Sequence, residues 1–263
     1  MIRILLTNDD GVGSPALVPF ARALAGLGEV TVCVPDRERS WIGKAISRTG
    51  SVRLEETVVD GHPVWACSGF PADAAQLGIH ALGDEPPDLV VSGINLGFNH
   101  GAAFLMSSGT VGAAIEGWIS GVPAIAFSTG VWDGDWADWR ARAESPEARD
   151  GWRELADTCV SILRDLEEAE LFDHSDVVSV NLPFDATPDT PRHLTEIARV
   201  GYDRLFRAAG PGVYEHDFLA ITRGDELEGT DVAVAGQGGV SVTAVRLPRA
   251  ADVPDEVRRR VER

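Results

Sequence analysis

The sequence predicts an α/β fold in which a mostly parallel sheet is flanked by helices and followed by a β-rich C-terminal extension. Three observations carry that expectation. Short apolar runs suited to buried strands alternate with helical patterns up to residue 184. The first strand, helix and second strand close within Ile2 to Val34, the spacing of a right-handed βαβ unit with parallel pairing. Beyond Asp185 helical periodicity fades and β-rich runs dominate. The expected division is therefore an α/β core over residues 1–184 and a β-rich extension over 185–263, the latter used in oligomer contacts.

In chain order, Ile2 to Leu6 reads as a buried strand that runs into Thr7-Asn8-Asp9-Asp10-Gly11-Val12-Gly13, an acidic glycine loop. Ser14-Pro15 then opens a helix over Ala16 to Leu27, expected to bend near Pro19. Glu29 to Val34 is the second strand, and it ends in the polar loop Pro35 to Ser40. Asp60-Gly61 turns the runs Ser51 to Val59 and Pro63 to Cys67 into a hairpin added to the sheet edge. A helix follows from Asp73 to about Leu82, with Asp73 in its first turn complementing the helix dipole.

Asp88 to Ser92 is a short strand before Gly93-Ile94-Asn95-Leu96-Gly97-Phe98-Asn99-His100-Gly101, whose alternating Asn and Gly suit tight turns at a ligand loop. Ser107-Ser108-Gly109-Thr110 caps a helix over Val111 to Ile119, a place where hydroxyls and free amides suit an anion. Ala124 to Ser128 is another buried strand. Trp132, Trp136 and Trp139 are expected on one face of a helix, Gly151 to Leu171 forms an amphipathic helix, and Val177 to Leu182 a further strand. In the extension, strands are expected at Leu194 to Val200, Asp217 to Arg223 and Val240 to Leu247, with a charged helix over Asp252 to Arg263.

Composition narrows the function. The 263 residues hold 23 basic and 41 acidic side chains, a net charge of −18, which repels nucleic-acid backbones and anionic membranes. Lys44 is the only lysine, and Cys33, Cys67 and Cys159 are too far apart for a zinc site or a disulfide frame. No charged leader and no run of membrane-spanning length is seen, so a cytoplasmic location is expected.

Asp9 and Asp10 pose the chemical question. Two adjacent carboxylates at the end of a buried strand repel each other and lose hydration. Two readings stay open from the residues alone: ordinary Asp-Gly turn chemistry, or a hard divalent cation held by oxygen ligands and bridging to phosphate.

Taken together, TNDDG at Thr7 to Gly11, PDR..RS at Pro35 to Ser40, SG.PADA at Ser68 to Ala74, SGIN.G.N at Ser92 to Asn99, SGTVGAA.EG at Ser108 to Gly117, VNLP at Val180 to Pro183, and GTD at Gly229 to Asp231 followed by VSVT at Val240 to Thr243 occur in one order. In this the chain resembles the stationary-phase survival protein E (SurE) family of metal-dependent nucleotidases. The resemblance implies a Rossmann-like core, one Mg²⁺ or Mn²⁺ per subunit held by Asp9, Asp10, Ser40 and Asn95, and a phosphate held by Asn99, Ser108, Gly109 and Thr110. It implies hydrolysis of nucleoside monophosphates, with Asp9 or Asp10 accepting the water's proton, and leaves open the 5′ or 3′ position and whether short polyphosphate is also cleaved. It implies a homodimer or homotetramer. Two residues depart from the family pattern near the mouth: Trp41, where small residues are usual, and Ser107, where tyrosine is usual. They motivate an alternative, a metal-dependent nucleotide sensor without turnover.

Overall fold

A computed structural model of the chain describes residues 1–132, 135–202, 204–217, 221–222 and 227–262. The elements in order are β1 (Ile2–Thr7), α1 (Leu17–Leu24), β2 (Gly28–Pro35), β3 (Leu54–Val59), β4 (His62–Cys67), α2 (Pro71–His80), β5 (Leu89–Leu96), α3 (Gly101–Ser107), α4 (Gly109–Ile119), β6 (Ala124–Gly130), α5 (Trp136–Ala143), α6 (Arg149–Glu168) and β7 (Val177–Pro183). They continue with β8 (Arg192–Leu194), β9 (Gly201–Tyr202), β10 (Phe206–Gly210), β11 (Val213–His216), β12 (Ile221–Thr222), α7 (Asp231–Gly236), β13 (Val240–Val245) and α8 (Asp255–Val261).

Nine strands form one sheet in the order β3-β4-β2-β1-β5-β6-β7-β13-β8. The six from β4 to β7 pair in parallel. The hairpin β3–β4 adds an antiparallel edge, as its Asp-Gly turn predicts. At the other end β13 runs antiparallel to β7, so residues beyond 184 complete the main sheet.

Parallel strands are covered on both faces, which is why these segments read as nearly unbroken Val, Ile and Leu runs. Ile4, Leu6, Val91, Phe127 and Val180 pack against Phe20 and Leu24 of α1 and Trp152, Leu155 and Leu163 of α6. Leu5, Val90 and Ala126 face Ala74 of α2 and Val111 and Ala114 of α4. Small residues bring that second layer close: a Cβ on Gly117 would sit 2.9 Å from Val90 Cβ.

Strand β1 has β2 on one side and β5 on the other, so the chain reverses its direction of travel across the sheet at β1. Open parallel sheets bind ligands beyond the carboxyl ends of the strands at such a point. The acidic loop after β1 lies there, and so does the Asn/Gly segment, although its first half, Gly93 to Leu96, pairs with β6 and extends β5 where a loop was expected.

Several local expectations are corrected. Helix α1 runs unbroken past Pro19, because Pro19 falls in its first turn, where the missing N–H has no helical partner to lose. Trp132 precedes α5, so only Trp136 and Trp139 share that helix, their rings 5.0 Å apart. The run from Leu194 to Val200 forms only the end of β8 and a single bridge from Glu196 to Thr230. Of Asp217 to Arg223, residues 218–220 and 223 lie outside the described residues. Helix α7 was not expected. Its signal was the Thr230-Asp231 start, where the Thr230 hydroxyl accepts from the Ala233 amide. Cys33, Cys67 and Cys159 are all buried free thiols. Among the described residues no helix is long and apolar enough to cross a membrane.

Candidate metal and phosphate site

The acidic loop is shaped by its flanking residues. Asn8 Oδ1 accepts from the Gly11 amide at 2.9 Å while Asn8 Nδ2 donates to the Gly11 carbonyl at 3.2 Å. Gly11 adopts φ +77°, and a Cβ there would lie 2.6 Å from the Arg37 carbonyl carbon. The loops after β1 and β2 are stitched together by Arg39 N donating to Asp9 O at 2.7 Å and Val12 N to Pro35 O at 3.0 Å.

Asp9 is 3% exposed. Its Oδ1 accepts from the Thr110 hydroxyl at 2.5 Å. Asp10 Oδ2 accepts from the Leu96 amide at 3.2 Å, which ties the acidic loop to the end of β5. Burial pushes Asp9 up to about 6, against the Thr110 hydroxyl and amide, which hold it down. Asp10 is raised as well, first by burial and then by the Asp9 charge beside it. Among the described residues neither aspartate forms an ion pair, so the cost anticipated from the sequence is present in the fold.

Asn95 is buried, and its Nδ2 donates to the Gly97 carbonyl at 2.6 Å. That bond leaves Oδ1 as the atom for an ion to use. Among the described residues no group of three or more His, Cys, Asp or Glu side chains converges. Two carboxylates without an ion pair, Asp9 buried and Asp10 half-buried, with amide and hydroxyl oxygens nearby, fit a hard cation such as Mg²⁺ or Mn²⁺, and lack the nitrogen and sulfur donors of zinc sites.

Of the predicted phosphate residues, Thr110 and Gly109 lie against Asp9, and Ser108 and Asn99 adjoin Gly109 and Thr110. Ser108 caps α4, its hydroxyl accepting from the Val111 amide at 3.0 Å, so its own proton is still available to donate. Gly109 allows the helix start to touch the acid: a Cβ there would meet Asp9 Cβ at 2.7 Å and Oδ2 at 2.9 Å. Asn99 Nδ2 donates to Ser128 Oγ at 2.8 Å and reaches Thr110 Oγ1 at 3.4 Å, and the Asn99 amide donates to Asn181 Oδ1 at 2.7 Å. Strands β5, β6 and β7 and helix α4 thus converge on one corner.

Ser40, the fourth predicted ligand, follows Arg39, whose amide bonds the Asp9 carbonyl. It is exposed, and its hydroxyl donates to Glu38 Oε1 at 2.7 Å. Glu38 pairs with Arg140 of α5, whose guanidinium holds the Glu38 carboxyl below the usual range with help from the Ser40 hydroxyl. Trp41 takes a left-handed φ of +59° and packs edge-on to Phe104 at 5.5 Å and His216 at 5.3 Å, so the mouth joins three distant segments. Lys44 does not approach the acids; it pairs with buried Glu116 of α4.

The sequence reading missed the Glu38–Arg140 pair, the role of Asp231 and part of the role of Asp73. Glu38 and Arg140 lie 102 positions apart, and nothing local marks them as partners. Asp231 is buried and accepts from the Gly101 and Ala198 amides at 2.7 and 2.9 Å, fixing the start of α3 behind Asn99. Asp73 does more than complement a dipole. It accepts from the Phe70 amide at 2.8 Å and the Ser47 hydroxyl at 2.6 Å, pinning the chain after Lys44 to α2.

Known proteins are similar to this chain over most of its length. The profile of the family described as Survival protein SurE matches residues 4–206. A 5′-nucleotidase SurE from Methanopyrus kandleri is 38% identical over 272 residues, covering 98% of this chain and 98% of the relative. Another 5′-nucleotidase SurE, from Methanocella arvoryzae, is 36% identical and covers 95% and 93%. The crystal structure of the SurE protein from Aquifex aeolicus superposes with a TM-score of 0.73 at 29% identity, covering 99% of this chain and 98% of that one.

Proposed function

Because the chain belongs to the Survival protein SurE family, we propose that it is a divalent-metal-dependent phosphatase that hydrolyses nucleoside monophosphates. The observation that carries this reading is the Thr110 hydroxyl bonded to Asp9, which puts the acidic pair against the N-terminus of α4. Cation ligands and an anion site meet there.

Asp9, Asp10, Asn95 and Ser40 would hold the cation. Once bound, it would offset the two adjacent carboxylate charges and supply Lewis-acid polarisation at phosphate and water oxygens. The chain's own residues do the rest. Ser108 turns its free hydroxyl proton to a phosphate oxygen, and Asn99 exchanges its long 3.4 Å contact to Thr110 for another. The amides that open α4 lack helical partners and favour the charge that builds on the transferring group. Asp10 is the proton acceptor for the attacking water in this scheme, since Asp9 is engaged by Thr110. An aspartyl-nucleophile mechanism with a phosphate-binding lysine has no support, because Lys44 is paired with Glu116.

Short polyphosphate is included as a substrate on the same chemistry. The proposed assembly is a homodimer or homotetramer, supported by the hairpin β10–β11, which exposes Phe206, Val213 and Tyr214. Three reduced, buried cysteines support a cytoplasmic setting.

The test is phosphate release from a panel of mononucleotides with Mg²⁺, Mn²⁺ or chelator, alongside Asp9→Asn. Release that needs metal and disappears in Asp9→Asn, with the circular dichroism spectrum unchanged, supports the reading. Nucleotide binding by calorimetry without any phosphate release would instead favour a sensor.

A further inference from the structure

Resting on Ser40 as one of the cation's ligands, we propose that Glu38 and Arg140 are positioning residues that orient the Ser40 hydroxyl toward the ion. A serine hydroxyl carries one proton and two lone pairs. To serve a cation it must direct that proton to another acceptor.

Glu38 is that acceptor: Ser40 Oγ donates to Glu38 Oε1 at 2.7 Å. A carboxylate acceptor makes the hydroxyl oxygen a better donor of electron density, as a carboxylate does for a metal-bound histidine. Glu38 is itself gripped from α5 by two parallel bonds, Arg140 Nη1 to Oε1 at 3.3 Å and Nη2 to Oε2 at 2.7 Å. Such a fork fixes both the plane and the charge of the carboxylate. Arg140 is held in turn by Glu144, one turn along its helix, with Nε donating to Oε1 at 2.7 Å.

This relay gives α5 a role that its tryptophans do not. Without Arg140, Glu38 could turn its charge toward the aspartates and away from Ser40.

Loss of such an outer partner typically weakens metal binding 10- to 100-fold. Because the Glu38 and Arg140 side chains are 41% and 34% exposed, the low end applies, about tenfold for Glu38→Ala. The experiment is calorimetric titration of Mn²⁺ alone into the metal-free full chain, for wild type, Glu38→Ala, Arg140→Ala, Ser40→Ala and Ser40→Ala/Glu38→Ala. The expected result is weaker binding in Glu38→Ala and, to a smaller degree, in Arg140→Ala. The double variant should bind no more weakly than Ser40→Ala, because Glu38 acts through Ser40.

The proposal is overturned if Glu38→Ala binds Mn²⁺ as wild type does. It is also overturned if the Glu38 effect persists undiminished without Ser40, since Glu38 would then act on the ion by its own charge. Should Glu38→Ala fail to fold, Arg140→Ala and Ser40→Ala/Arg140→Ala run the same cycle from the other end. Wild type that binds no Mn²⁺ overturns the reading of the metal site itself, a distinct outcome visible before any variant is made.

Discussion

Replacing Thr110 by Val removes one hydroxyl and leaves the shape of the side chain nearly unchanged. That hydroxyl donates to buried Asp9 at 2.5 Å. Burial moves Asp9 from its ordinary 3.8 to about 6, a displacement of roughly 3 kcal/mol, and the Thr110 bond is the largest influence opposing it. The native value lies above the unfolded one. Between about pH 4 and 6 the metal-free native state therefore binds more protons than the unfolded chain, and its stability falls as pH rises. At pH 8 Asp9 is charged and the lost bond is charge-assisted, worth about 2 kcal/mol; at pH 5 it is neutral and worth about 1 kcal/mol. For a chain of this size each kcal/mol moves Tm by about 2–4 °C. Scanning calorimetry in chelator should show Thr110→Val melting about 5 °C below wild type at pH 8 and about half that at pH 5. Equal losses at both pH values would mean that the hydroxyl supports packing and not the Asp9 charge, and the account of the site would fall.

The same linkage governs metal. Mn²⁺ should raise Tm more at pH 8 than at pH 5, because protons compete for the carboxylates at the lower pH; a shift that is independent of pH would argue against ligation by Asp9 and Asp10. Gly109→Ala would set a Cβ 2.7 Å from Asp9 Cβ and 3.1 Å from Pro71 Cγ, so it should cost about 1–3 kcal/mol and lower phosphate release more than Thr110→Val does. Wild-type melting and turnover in that variant would show that the helix start tolerates displacement. Lys44→Met leaves buried Glu116 with Gln76 alone as partner and should cost roughly 2 kcal/mol while kcat stays the same, read by urea unfolding and a turnover assay. A fall in kcat would place Lys44 in the reaction.

The layered α/β core was legible because buried parallel strands demand continuous apolar runs, and each of β1, β2, β5, β6 and β7 announces itself in that way. The acidic pair and the cap at Ser108 were legible for a related reason: both are local chemistry, written in adjacent residues. Extension strands were harder to read. Leu194 to Val200 has β-rich composition, yet its backbone hydrogen-bonds to Gly229, Asp231 and Val242 and it forms a strand only at its start. Pro19 and Trp132 were misread because sequence alone does not fix where a helix begins, and one turn decides whether a proline bends it or a tryptophan joins its face.

By itself, then, the sequence determined that a parallel sheet would form, that two carboxylates would be stranded at its rim, and that oxygen-rich loops would follow several of its strands. Only the tertiary structure decided which of these meet. Thr110 donates to Asp9 across 101 residues and Arg140 grips Glu38 across 102, and no periodicity or cap records such a pair. The physical reason is that local signals report the energy of one segment, whereas these contacts depend on how β1, α4 and α5 pack on a common sheet.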